Sequence, residues 1–328
     1  MKKYYTGIKV EINNKCKSSY SGRGFKIFFK KYNNRDAGSF DGNKIIQDKN
    51  VIISCNSLER VYNVTQLIYE SDVIIRGGEI LPFTELSILD SVQEIDKNFY
   101  PQNNYTYSTD FILPAIIMTS KASFDHKNIW AIHKLFLSYR LISIPIIDLN
   151  PSFNSNFIDK PILKKYLPDI NFVIKAFAII FAYSAIEELR LHTKVSKTFE
   201  AWEKKNKADL IIKLKESKIN LLEKFEWILR GPKNYLETNL PGINILKKQK
   251  TQWNKGNIRD IEIDISEAIY LASFLRNKVC AHVFSSSENY KRFKTLSVYE
   301  VSNVQLLARR LILEKIRLWR SKYLENNQ

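Results

Sequence analysis

The run Asn150–Pro168, NPSFNSNFIDKPILKKYLP, constrains this chain more than any other segment. Its three prolines and its cluster of Asn and Ser interrupt regular structure, so it reads as a domain boundary. The 328 residues leave room for two ordinary domains, each able to bury its own core. The hydrophobic pattern changes across this run, and the change predicts an α+β domain over residues 1–155 followed by an all-α domain over 165–328.

In the first part, Ile8, Val10 and Ile12 alternate with Lys9 and Glu11, the period of a half-buried strand. Phe25–Phe29 and Val51–Cys55 are further strand runs, and Ser57 is placed to cap a helix through Leu58, Val61, Tyr62 and Ile68. Val73–Ile75 reads as a strand ended by Gly77 and Gly78, and Phe111–Met118 as a strand weakened by Pro114. Ile129–Leu141 reads as a helix with His126 ahead of it, followed by a strand-like run over Ile142–Ile147.

Beyond the boundary strand patterns disappear. A first long helix is expected from Ile170 to about Val195, with one or two more from Thr198 to Leu229, stopped by Gly231-Pro232. After a polar excursion, a helix from Ile265 to Phe284 follows, capped by Asp264 or Ser266. A last helix is expected from Val298 to Tyr323. Four or five antiparallel helices make a bundle. The apolar run Ile170–Ile186 is too short for a membrane span and contains Lys175, so it reads as a buried helix.

Cys16, Cys55 and Cys280 are odd in number and lack metal-ligand spacing, which argues for a reducing, cytoplasmic setting and against a zinc module. The start, MKKYYTGIKV, has no apolar core of a signal peptide. The net charge of +17 favours polyanionic partners, nucleic acid first among them. A lysine-rich surface without such a partner would look the same.

One constellation carries chemistry. In LRNKVCAHVF, Leu275–Phe284, Arg276 is followed by Asn277, and His282 stands six residues after the arginine. Arginine supplies a permanent charge and a planar fork matched to phosphate oxygens. Histidine moves protons at neutral pH. RNA brings its own nucleophile, the 2′-hydroxyl, so a proton carrier and a phosphate clamp suffice without metal or cofactor.

This arrangement, Arg-polar-x4-His on the third main helix of a bundle, resembles the HEPN superfamily over about residues 165–325. The ApeA-like and abortive-infection members, with a variable domain ahead of the bundle, are the nearest in organisation. The resemblance implies a two-fold homodimer and metal-independent RNA cleavage leaving a 2′,3′-cyclic phosphate, in antiphage defence or a toxin system. It implies His282 as general acid/base, Arg276 as stabiliser of the phosphorane-like transition state and Asn277 as an orienting group. Glu187 or Glu188 resembles the acidic residue with which some members hold the arginine. A phage-derived activator or an antitoxin-like protein would be a partner; a membrane would not.

On an ideal helix, positions 276 and 282 lie about 120° apart and about 9 Å along the axis. Catalysis therefore requires a distorted helix or a site composed across a dimer, the latter preferred. A competing reading makes the bundle a non-catalytic dimerisation or RNA- or nucleotide-binding module, with recognition left to the N-terminal domain. Elsewhere the simpler readings prevail. Glu187-Glu188 is equally a solvated face, His126 and His133 a weak second centre, and Ser21–Phe25 and Arg76–Gly78 short glycine turns without a nucleotide fingerprint. The aromatics Tyr4, Tyr5, Tyr20, Phe25, Phe28, Phe29 and Tyr32 interleave with Lys and Arg, a pattern that can stack bases but more often makes a β core with a basic outer face. Cys280 fits a small packing residue.

Overall fold

The computed structural model describes residues 1–12, 17–31, 40–41, 44–45, 47–80, 88–97, 99, 107–143, 160–196, 198–228, 261–280, 296, 298–321 and 324. The architecture is α+β: antiparallel sheets with several helices. The chain divides into two units, one of Met1–His133 with Ile316–Gln328 and one of Lys134–Lys315.

The first unit is built on a five-stranded sheet. Its strands are β1 (Lys2–Ile12), β2 (Ser19–Gly22), β3 (Phe25–Lys30), β6 (Gln47–Cys55) and β7 (Gln93–Glu94), in the order β2-β3-β6-β1-β7. Two short strands, β4 (Phe40–Asp41) and β5 (Lys44–Ile45), pair separately. The register of β1 on β6 shifts between Tyr5 and Lys9. Gly7 sits at that shift with φ 71°, and a Cβ there would lie 2.4 Å from the Ser91 Cβ, so only glycine fits.

Ser57 caps α1 (Leu58–Ile75), its side chain accepting from Arg60 N at 3.3 Å. Two strands expected from sequence are helical. Val73–Ile75 is the last turn of α1, and Gly77 and Gly78, both at positive φ, close it through Gly77 N to Ile74 O and Gly78 N to Val73 O at 3.1 and 2.8 Å. Phe111–Met118 enters α2 (Ile112–Ala122), where Pro114 lies in the first turn and its missing N–H breaks no intrahelical bond. Both runs are buried nearly all round, which erases the periodicity that separates helix from strand.

On α1, Asp72 is fully enclosed and fully partnered. It accepts from Arg76 Nε at 2.8 Å, and from the Tyr107 hydroxyl and Thr109 Oγ1 at 2.5 Å each. Burial, then the Asp72 charge, drives the Tyr107 hydroxyl far above its usual pKa, so it stays a proton donor.

The helix α3 (His126–Ser143) includes His126 as its first residue, and it takes in Ile142 and Ser143, which were expected in a strand. Residues 144–147 lie outside the described residues. His126 to His133 belong to the first unit and Lys134 to Ser143 to the second.

In the second unit, α4 (Lys160–Glu188) starts ten residues earlier than expected, running through Pro161 and Pro168, and ends sooner. Arg190, at φ 61°, stops it, with Arg190 N bonded to Glu187 O at 2.9 Å and Leu191 N to Ile186 O at 3.2 Å. Lys175 spends its ammonium on Leu296 O at 3.1 Å. Among the described residues no helix is long and apolar enough to cross a membrane.

Thr198 caps α5 (Phe199–Lys205), and α6 (Lys207–Glu216) follows. The second unit does contain strands, contrary to expectation. β8 (Phe225–Trp227) pairs antiparallel with β9 (Ile261–Ile263), each too short for its alternation to stand out. Residues 229–260, including Gly231-Pro232, lie outside the described residues. The last helix, α8 (Val298–Lys315), ends eight residues before the expected Tyr323, and Arg317 lies beyond it at φ 58°.

Candidate functional site

The segment bearing the Arg-Asn pair is positioned from its N-terminal side. β9 leads into Asp264, which caps α7 (Ile265–Phe274) in a capping box with Glu267, whose carboxylate accepts from Asp264 N at 3.2 Å. Lys224, just ahead of β8, forms an ion pair with Asp264, so the small sheet and the helix start are tied together. Trp202, Phe199 and Tyr270 pack one side of α7, with Trp202 and Tyr270 ring centroids 4.6 Å apart.

After Phe274 the helix widens. Leu275–Cys280 is π-helical, a distortion that recurs at functional sites. Ideal-helix phasing therefore does not hold from Leu275 to Cys280. Leu275, Val279 and Cys280 point into the core, while Arg276 and Asn277 are half-buried. The segment packs on the C-terminal end of α4.

Arg276 and Asn277 form a joined pair. Arg276 Nη1 donates to Asn277 Oδ1, and Asn277 Nδ2 donates to Ser273 Oγ at 3.3 Å. Ser273 in turn donates to Thr193 O at 3.1 Å, and Thr193 Oγ1 accepts from Trp202 Nε1 at 2.9 Å. The Tyr183 hydroxyl on α4 joins this group through Ser273 and the Thr193 backbone. Burial pushes its pKa up to about 12, so it stays neutral. The arginine is thus aimed through its amide neighbour by a chain of buried polar groups anchored in two helices.

The guanidinium itself is not used up. Nη2 stands 3.9 Å from Glu187 Oε1, a Coulombic contact too long for a hydrogen bond, and both side chains keep about a third of their surface exposed (35% and 34%). Among the described residues no other group engages it. Arginine offers five N–H donors, so a planar anion can still be taken.

The other expected site residues divide. Glu187 faces Arg276. Glu188, next to it in sequence, turns to Lys134, whose ammonium also reaches Ser184 at 2.9 Å. His282 lies outside the described residues, as do the neighbours from 281 to 295. The Cys280 thiol is buried, and burial raises its pKa, so it is a neutral packing group. Sequence reasoning passed over Ser273, Thr193 and Tyr183. Ser273 could have been found, because four residues before Asn277 is the position a helical amide reaches.

His126 and His133 have separate partners. His126 is exposed, 4.0 Å from Asp125, whereas His133 Nδ1 pairs with Glu70 on α1, which also accepts from Gln66 at 3.1 Å. Among the described residues no group of His, Cys, Asp and Glu could hold a metal.

Fold and site together define an α+β protein that presents a half-exposed, amide-braced arginine on a π-helical turn facing a carboxylate. Comparison of the chain with protein-family models, curated proteins and solved structures finds no match.

Proposed function

We propose that the chain is a metal-independent endoribonuclease of the HEPN type, with residues 165–328 as a HEPN-like bundle and residues 1–155 as a sensor or RNA-selecting domain. The observation that carries this reading is the Arg276 guanidinium, held by Asn277 and facing Glu187 with donors to spare. A cation fixed in this way is preorganised for the charge that develops on a phosphorane, and such stabilisation needs no movement during the reaction.

In this scheme the RNA 2′-oxygen attacks the adjacent phosphorus, and the P–O5′ bond breaks. One His282 accepts the proton of the 2′-hydroxyl, and the His282 of a second, paired copy donates one to the departing 5′-oxygen. The products are a 2′,3′-cyclic phosphate and a 5′-hydroxyl, with no cofactor. Pairing of two copies through the bundle would let one Arg276 meet the other copy's His282. A cytoplasmic role in antiphage defence, by abortive infection or as a toxin, follows from the same resemblance, with a phage-derived activator or an antitoxin-like protein as regulator.

The test is cleavage of RNA in EDTA by wild type, Arg276→Ala and His282→Ala. Wild type is expected to give cyclic-phosphate ends, with both variants severely impaired. Equal activity in all three would remove the assignment. Tight RNA binding without cleavage under any trigger would instead favour a non-catalytic binding module. Expression in a bacterial host challenged with phage supplies the second readout, growth restriction by wild type but not by His282→Ala.

A further inference from the structure

In the first unit, the turn between α2 and α3, which carries an exposed ring, lies where cations from four parts of the chain meet. Ser123 Oγ, in that turn, accepts from Arg23 N at 2.9 Å and donates to Ser120 O at 2.7 Å, which seats the tip of the β2–β3 hairpin on the end of α2. Arg60 on α1 holds the same tip, with Nη1 donating to Arg23 O at 3.2 Å. A Cβ on Gly24, whose φ is 79°, would stand 1.9 Å from that nitrogen, so the guanidinium lies directly over the turn. At the end of α2, Lys121 Nζ donates to Arg317 O at 3.1 Å. Partial burial, then the charges of Arg317 and Lys17, lower the Lys121 pKa, so these three cations repel one another with no carboxylate between them.

Lys17, Arg23, Arg60, Lys121 and Arg317 are all exposed, and among the described residues no carboxylate pairs with any of them. Phe124 stands in the same turn with 63% of its surface exposed. The adjacent carboxylate caps α3: Asp125 Oδ1 accepts from Lys127 N at 3.0 Å. Unbalanced like charge costs stability, and a large exposed ring contributes nothing to a core, so a fold that assembles both at one turn is furnished for an outside partner.

We propose that this turn is a binding surface for a single-stranded polynucleotide, with the five cations neutralising phosphates and Phe124 stacking on a base. Stacking is sequence-tolerant, and cations flanking a lone ring match a strand whose bases are turned outward. A membrane surface fits less well, because the one exposed ring of this turn gives little to insert. The surface lies apart in sequence from Arg276 and rests on the nuclease reading only in taking RNA, rather than DNA, as the strand.

The experiment measures anisotropy of fluorescent single-stranded 2′-O-methyl RNA and DNA oligonucleotides with the full chain. A 2′-O-methyl strand has no nucleophile, so binding is read whether or not the chain cleaves. The double variant Lys121→Ala/Arg317→Ala is expected to weaken binding about tenfold and to flatten the dependence of log affinity on log salt by about 1.4. Phe124→Ala is expected to weaken it about tenfold with the slope unchanged, and Phe124→Trp to restore it. Lys204→Ala, on α5, serves as the control, and thermal unfolding checks that each variant is folded. Equal affinity of the double variant, Phe124→Ala and wild type overturns the proposal, and so does binding of phosphatidylserine vesicles in place of oligonucleotides. A preference for the RNA or the DNA probe decides which strand the surface serves.

Discussion

Arg276 and Arg310 lie in the same unit, and their surroundings could hardly differ more. Arg310, on α8, keeps 4% of its side chain exposed and has its donors occupied. Nε meets Glu314 at 2.8 Å, Nη1 meets Lys224 O at 2.8 Å, and Nη2 reaches Glu223 O and Asn220 O at 3.1 and 3.4 Å. Glu314 also accepts from Asn220 N at 2.6 Å, so the pair pins the loop before β8 to the last helix. Among the described residues, Arg276 has one amide partner and a distant carboxylate. A buried arginine with all three nitrogens engaged fastens a fold together; a half-exposed one braced from behind keeps part of its surface toward solvent. The charge is identical, and the count of unengaged N–H groups separates the roles.

Four measurements break or sharpen this contrast. On the proposed nuclease reading, Arg276→Ala is expected to lower RNA cleavage about 100- to 1000-fold while shifting unfolding stability by no more than about 0.5 kcal/mol. A large stability loss with intact cleavage would erase the distinction. Arg310→Ala should behave inversely, costing about 3 kcal/mol in urea unfolding because Glu314 is left buried without its cation. Full stability in that variant would show that the loop does not need its anchor.

Ser273→Ala tests the bracing. It is expected to cost about 1 kcal/mol of stability and to reduce cleavage less than Arg276→Ala does, because Asn277 loses its support but keeps its place. Unaltered cleavage and stability would mean that Arg276 needs no backing from α7.

His133, half-buried against Glu70, supplies an intermediate case. Burial opposes its protonation, but the hydrogen bond and charge of Glu70 outweigh it, so its folded pKa is raised. The stability of wild type over His133→Gln should therefore be fully present below the unfolded value of about 6.5 and be lost as pH rises through the raised folded value. Urea midpoints across pH 5 to 9, as an approximate range, read this difference. A gap that widens toward alkaline pH would contradict the pairing.

The sequence made some of this legible and hid the rest for physical reasons. The alternation at Ile8–Ile12 and the Ser57 cap are local signals, and both correspond to observed elements. Val73–Ile75 and Phe111–Met118 were misjudged because a run buried on every side carries no period. Strands β8 and β9 were missed because three residues are too few for a pattern and their pairing partners are more than thirty residues apart. At the site, Arg276 and Asn277 stood out by residue type. That Glu187 rather than Glu188 faces the arginine depends on how α4 rotates against its neighbours, which side-chain spacing alone does not reveal.

The π-helical turn under Arg276 has a further consequence. Its backbone ring encloses one residue more than an α turn, so the chain carries a surplus residue at this spot. Excising one residue from 275–280 would let the backbone relax into an ordinary spiral, swinging whatever follows by roughly a quarter of a turn relative to α7. Because Val279 and Cys280 in the same turn point into the core, such a deletion would shift buried side chains together with the guanidinium, so the surplus residue couples the placing of Arg276 to the packing of the interior.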